Sequence, residues 1–177
     1  IQRPNRIRVE RGGELLDQIA VYDGKTFSMH DRARGYYAVT EAPDDIDGLL
    51  HFARETLQLV PPSSDIVYTN AFERLTRQLE SGFVVGKSMI DGVRCHHLAF
   101  RNPVVDRQIW IPQGDEPLPR KLVVTTRSDS AKPQSLVLMR DWDTSPRVKK
   151  NTFVFSAPKD AEKIGFLRMD SGQPSER

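Results

Sequence analysis

The single cysteine of the sequence stands next to two of its four histidines, as Cys95-His96-His97. In a strand, alternate side chains share a face, so Cys95 and His97 would point together and His96 away. A thiol and an imidazole side by side offer two chemistries: a nucleophile with its base, or two ligands of a metal. The first wants a third, orienting group and the second a third or fourth ligand, and the spacing supplies neither. The plainer reading is a pair of ordinary strand side chains. His30 and His51 are isolated. There is no G-x-S-x-G, H-E-x-x-H, C-x-x-C or glycine-rich phosphate loop. The residues therefore assign no catalytic group, no metal and no cofactor, and the expectation is a protein that is not an enzyme. Asp44, Asp45 and Asp47 could hold calcium, but acids at a helix start explain them best. Arg107 and Arg140 lie in apolar runs; such arginines snorkel, or, facing a cavity, bind an acidic headgroup or carboxylate. Trp110 and Trp142 read as packing residues.

The elements that carry these residues are mostly strands. Residues 91–124 hold an Asp91-Gly92 turn, an Asn102-Pro103 break and a Gly114–Pro117 break around three β-rich runs at 93–101, 105–111 and 120–126. Upstream, period-two alternation marks 6–11, 15–22, 26–30 and 35–39, joined by Gly12-Gly13 and Asp23-Gly24. The period then changes. Ala42-Pro43-Asp44-Asp45 opens a helix over 44–58, with Ile46, Leu49, Leu50, Ala53 and Leu57 in one apolar stripe. Pro61-Pro62 stops it. Asn70 with Glu73 suggests a capping box ahead of a second stripe, Phe72, Leu75 and Leu79. Strands resume at 83–90 and continue through 134–142 and 152–155. The expected fold is mainly β (α+β). About ten antiparallel strands form one strongly curved sheet or open barrel around a helical insert.

The length of 177 residues fits one domain, expected over 1–168, with a disordered polar tail at 169–177. A net charge of +2, with basic residues scattered among acidic ones, implies no nucleic-acid partner. No apolar run is long enough to span a bilayer, so any membrane association is peripheral. One cysteine excludes an internal disulfide. The chain opens on Ile1 rather than methionine, which reads as a trimmed or processed start with any signal peptide outside it.

A curved sheet with an apolar concave face, lidded by the helix stripe, would enclose a pocket. The alternative is a filled core. The residues expected to line the pocket are Ile19, Val21, Phe27, Met29, Leu98, Phe100, Ile109, Ile111, Leu122, Val124, Leu136 and Leu138. Slipping any strand by one residue would invert its contribution.

Two blocks carry a resemblance. Arg3-Pro4-Asn5-Arg6-Ile7-Arg8-Val9-Glu10 with Val21-Tyr22-Asp23-Gly24-Lys25-Thr26-Phe27 resembles the strand and D-G-K hairpin of the LolA/LolB-type lipoprotein carriers. The block Asp91 to Phe100, with Gln108-Ile109-Trp110-Ile111 and Leu118-Pro119-Arg120-Lys121-Leu122, is more closely similar to an uncharacterised family of predicted periplasmic proteins placed near those carriers. The resemblance implies export to the periplasm and a half-barrel around a hydrophobic cavity with a helical lid. It implies as ligand a lipid, an acyl chain or a lipidated protein. Carriers of this kind begin with a helix and a strand ahead of the R-P segment, and the resemblance implies that both lie outside this chain. The alternative function is a non-catalytic interaction or sensor module that docks another envelope protein.

Overall fold

The computed structural model describes residues 1–13, 16–59 and 64–167. The expected tail at 169–177, Leu15 and the Pro61-Pro62 stop lie outside the described residues. The chain folds as two compact units, one from residues 1–60 and 147–177 and one from residues 61–146. It is mainly β, with two sheets of five strands each.

The first unit is a meander of β1 (Ile7–Gly12), β2 (Asp17–Tyr22), β3 (Thr26–Asp31) and β4 (Tyr36–Glu41). Its Asp-Gly hairpin forms for a local reason. Gly24 sits at φ +100, which only glycine adopts readily, and a Cβ there would lie 2.7 Å from Asn5 Nδ2. The Asp23 carboxylate accepts from the amides of Lys25 and Thr26 at 2.9 and 2.8 Å. The fifth strand is not the expected 152–155 but β10 (Glu162–Lys163), parallel to β4. The apolar residues of 152–155 pack as irregular chain instead. Phe153 is buried, Phe155 meets the Tyr37 ring at 5.8 Å, and the Thr152 carbonyl accepts from Arg8. The strand forms where backbone groups reach a free edge, with Glu162 and Ile164 amides donating to Gly35 and Tyr37 carbonyls at 2.8 Å. Side-chain propensity was a poor guide there, because a two-residue edge pairing is held by main chain alone.

Helix α1 (Ile46–Glu55) follows β4, shorter than the expected 44–58. Asp45 is its N-cap and accepts from the Gly48 amide at 2.7 Å, so helix-start electrostatics explain this acid. The expected stripe is buried at Ile46, Leu49, Ala53 and Leu57, and Leu50 is half-buried. Tyr22, fully buried, donates its hydroxyl to the Pro43 carbonyl just ahead of the helix.

The second unit orders β5 (Ser81–Ile90), β6 (Val93–Arg101), β7 (Val105–Pro112), β8 (Lys121–Thr126) and β9 (Gln134–Leu138) as a second antiparallel meander. Asp91 and Gly92 both take positive φ, 48° and 77°, as a two-residue hairpin turn requires. Asn102 accepts from the Val104 and Val105 amides at 3.0 and 2.7 Å. β9 stops at Leu138, four residues short of Trp142, whose indole donates to the Pro119 carbonyl. A 3-10 turn (Ser64–Ile66) and helix α2 (Ala71–Thr76) precede the sheet. The capping box does not form: Asn70 holds the N-cap position without a side-chain bond, α2 buries no residue, and Phe72 is 79% exposed. Six residues are too few for an autonomous helix. Neither sheet closes into a barrel; among the described residues β1 and β10 end one, and β5 and β9 the other.

Gly48→Ala tests the start of α1. Alanine normally gains about 1 kcal/mol over glycine inside a helix. Here its Cβ would lie 2.8 Å from Pro43 Cβ and 3.1 Å from Asp45 Oδ1. The variant should instead lose about 1 kcal/mol in urea unfolding, the usual scale of overpacking.

Tyr22 tests the packing beside it. Burial first, then the charges of Asp45, Asp44 and Asp23, push its pKa up to about 12. In the unfolded chain it ionises near about 10. The folded value is the higher, so the stabilisation is complete below the unfolded value and is lost as pH climbs toward the folded one. Tyr22→Phe should cost about 1 kcal/mol at neutral pH and flatten the decline in stability between those two pH values, read by urea unfolding.

Candidate functional site

Strand register sorts the expected pocket residues onto faces. In the second sheet, Leu98 faces Ile109 and Ile109 faces Leu122. With Phe100, Ile111 and Val124 they form one face. Leu136 and Leu138 fall on the opposite face, because Leu122 pairs with Val137 and Val123 with Leu136. Both are exposed, at 58% and 44%. In the first sheet, Ile19 and Val21 pair with His30 and Ser28, whereas Phe27 and Met29 pair with Tyr22 and Ala20. The four expected residues are therefore split between the two faces. Phe27 stacks on Phe166 at 5.7 Å, which occupies the space beside it.

A recess lies on the other face of the second sheet. It is an open groove of about 430 Å³, lined by Ser81, Phe83, Val85, His97, Ala99, Phe100, Arg101, Asp106, Arg107 and Gln108. That volume falls in the range of small-ligand sites. Only Phe100 belonged to the expected lining. A β-bulge makes the groove. Val84 pairs with Leu98 and Gly86 with His97, so Val85 has no opposite residue. Phe83 and Val85 stand 61% and 49% exposed. On the reverse face Gly82, directly opposite Phe100, leaves room for its ring, since a Cβ there would lie 2.9 Å from Phe100 Cδ1.

Of the groove lining, His97 is held by stacking and hydrogen bonding. His97 stacks on Trp110 with centroids 4.0 Å apart and rings 14° from parallel. Lys121 Nζ lies 4.4 Å from the centroid of the same indole. These three residues are register partners across β6, β7 and β8. Trp110 donates to Ser88 Oγ at 2.9 Å, and His97 Nε2 meets Gln108 Oε1 at 2.8 Å. Cys95 and Val123 pack with Trp110 in a small buried core. Cys95 and His97 do share a face, as the strand reading requires. Burial pushes the Cys95 thiol pKa up, the direction opposite to that of an activated nucleophile. Its Sγ donates weakly to the Val93 carbonyl at 3.5 Å. No group of three or more His, Cys, Asp or Glu among the described residues is placed to hold a metal ion.

Charges near the groove are paired. Arg101 grips Asp106 with two bonds of 2.9 and 3.1 Å, which holds the Asp106 carboxyl below its ordinary range. Arg127 reaches Glu80 at 3.0 Å. The two arginines singled out in the sequence are also in ion pairs. Arg140 bonds Asp91 at 2.6 Å on the surface, and Arg107 meets Asp65 at 3.1 Å. Asp65 also lies 3.8 Å from Arg74, whose guanidinium covers the Tyr68 ring.

Sequence reasoning missed Phe83, Val85 and Gln108. The signal present was Gly86 inside a strand pattern, which marks a bulge and reverses the faces on either side.

A family model described as predicted periplasmic protein, DUF2092, matches residues 1–167. No curated protein matches the chain. No helix among the described residues is long and apolar enough to cross a membrane.

His97→Ala uncovers one face of Trp110. Trp110 emission should shift to the red and become more accessible to acrylamide, over a constant background from the exposed Trp142, with a stability loss of about 1 kcal/mol. Unchanged quenching would contradict the stacked arrangement.

Proposed function

Because the chain belongs to the predicted periplasmic protein family DUF2092, we propose that it is a binding or carrier protein of that compartment, holding a lipid, an acyl chain or a lipidated protein. The observation that carries this reading is the groove beside β5. Phe83 and Val85 stand exposed along it next to Ala99, and polar residues, His97 and Gln108 among them, line the rest. Exposed apolar side chains around a recess mark a binding surface more often than scattered ones do. The arginines around it are matched by carboxylates, so apolar burial is the main attraction on offer, at about 0.8 kcal/mol per buried CH₂. The resemblance of residues 3–10 and 21–27 to the LolA/LolB-type carriers supports the same class of ligand. The half-barrel and the lid role of the 46–57 stripe belong to this reading and rest on that resemblance.

The second reading, a non-catalytic interaction or sensor module of the envelope, is favoured by one observation. β5 is ten residues long and its outer edge is unpaired among the described residues.

Protein purified from the periplasm and sprayed under native conditions should carry bound lipid, and it should bind fluorescent fatty-acid probes. Val85→Asp, at an exposed bulge position, should weaken probe binding at least tenfold while leaving the circular dichroism unchanged, the cost of a charge against an acyl chain. Absence of both co-purifying lipid and probe binding would overturn the carrier reading.

A further inference from the structure

The groove beside β5 is apolar only in part, and its polar part narrows what it can hold. Register sets this stretch of the sheet in rows across the strands. Arg101 and Asp106 stand in one row, Phe83, Ala99 and Gln108 in the next, and His97 and Trp110 in the third. The first row is closed on itself, since Arg101 and Asp106 hold each other through two bonds. In the third, His97 is stacked on the buried Trp110. Gln108 lies between them, half-buried, in line with the two apolar residues of its own row. It is held at one end: its Oε1 is taken by His97 Nε2 at 2.8 Å. An amide side chain carries two N–H donors besides that oxygen. Among the described residues the Gln108 amide nitrogen donates to no protein group.

Solvent satisfies those donors while the groove is open. A ligand that covers the groove strips the solvent away, and a buried donor left unpaired costs more than a neutral hydrogen bond gains. A saturated hydrocarbon laid across Phe83 and Ala99 would leave the Gln108 amide in that state. A chain with a carbonyl oxygen at that point would not, and a site of this kind rejects the analogue that lacks the acceptor. Rotating the amide out of the way would break its bond to His97. We propose that Gln108 is the specificity-determining residue of the groove, and that it reads the carbonyl of an acyl chain joined through an ester or an amide. The chain then runs over Ala99 toward Phe83 on the edge strand. This inference rests on the groove reading given above and names the class of ligand within it. Two strand spacings, roughly 10 Å, separate Gln108 from Phe83, so the carbonyl end and the exposed apolar end are set apart along one row. The Arg101–Asp106 pair is complete, so the carbonyl end gains nothing there by carrying a charge. His97 is a positioning residue in this scheme.

Competition against a fluorescent acyl probe, run with the full chain, reads the preference. The competitors are matched in chain length: methyl dodecanoate, N-methyldodecanamide and tetradecane. With each affinity corrected for transfer from water to hydrocarbon, the ester and the amide should compete at least about tenfold better than the alkane. Gln108→Leu, similar in size and unable to donate, should abolish that advantage and leave alkane binding equal or tighter, with the circular dichroism unchanged. His97→Phe keeps a ring on Trp110 but releases the amide. It should reduce the advantage without weakening the alkane, an effect that a merely structural role for His97 would not produce. Three competitors of equal strength on the native protein would overturn the inference and leave the groove reading standing. So would an ester advantage that survives Gln108→Leu. Absence of any probe binding would overturn both.

Discussion

Antiparallel register is the constraint on which this protein depends. Successive strand residues point to opposite sides, so one hydrogen-bonded pairing assigns every side chain along both strands to a face. In the second sheet the pairing of Leu98 with Ile109 and of Ile109 with Leu122 creates one apolar face. The same pairing sets His97, Trp110 and Lys121 in a row on the other. A single extra residue, Val85, changes the count within β5. It brings Phe83 onto the side of His97 and leaves the apolar edge from which the groove is built. The groove thus follows from a local irregularity in an otherwise regular meander.

The aromatic row and the ion pairs around this arrangement differ in magnitude. Trp110 is buried to 7% exposure, and its indole N–H is satisfied by Ser88. Burial of a side chain of this size is worth a few kcal/mol, with stacking adding about 1 more. The surface pairs Arg101–Asp106 and Arg140–Asp91 are well formed, but exposed ion pairs contribute about 0–1 kcal/mol each. The Asp65–Arg107 pair lies between these cases, with side chains 25% and 13% exposed. Arg107 Nε has no hydrogen-bond partner among the described residues. That pair positions the chain around the 3-10 turn more than it stabilises it. The aromatic row, not the ion pairs, holds His97 in the groove lining.

Much of the fold was legible because its signals are local. Asp23-Gly24 and Asp91-Gly92 are turns, Asp45 caps α1, and the stripe from Ile46 to Leu57 is buried. The failures have a common cause. Where pairing is decided by distant chain, local pattern is silent: 152–155 reads as a strand by its Val and Phe content, yet the edge of β4 is taken by Glu162–Lys163. The second helical stripe is broken because Phe72 points outward and the six-residue helix packs instead through Arg74 on Tyr68 and Asp65. The binding face was the least legible feature. Leu136 and Leu138 alternate correctly with their neighbours, but alternation gives the period and not the phase, which only the Val123–Leu136 pairing supplies.

The central claim is that the face carrying Phe83, Val85 and His97 holds an apolar chain. It is tested most directly by photo-crosslinking with a diazirine-bearing fatty acid, followed by peptide mapping of the labelled protein. The account predicts labels concentrated in 81–85 and 97–108, competed away by unlabelled fatty acid. Labels confined to the opposite face, on Ile109, Leu122 and Val124, or a labelling pattern indifferent to competitor, would contradict it.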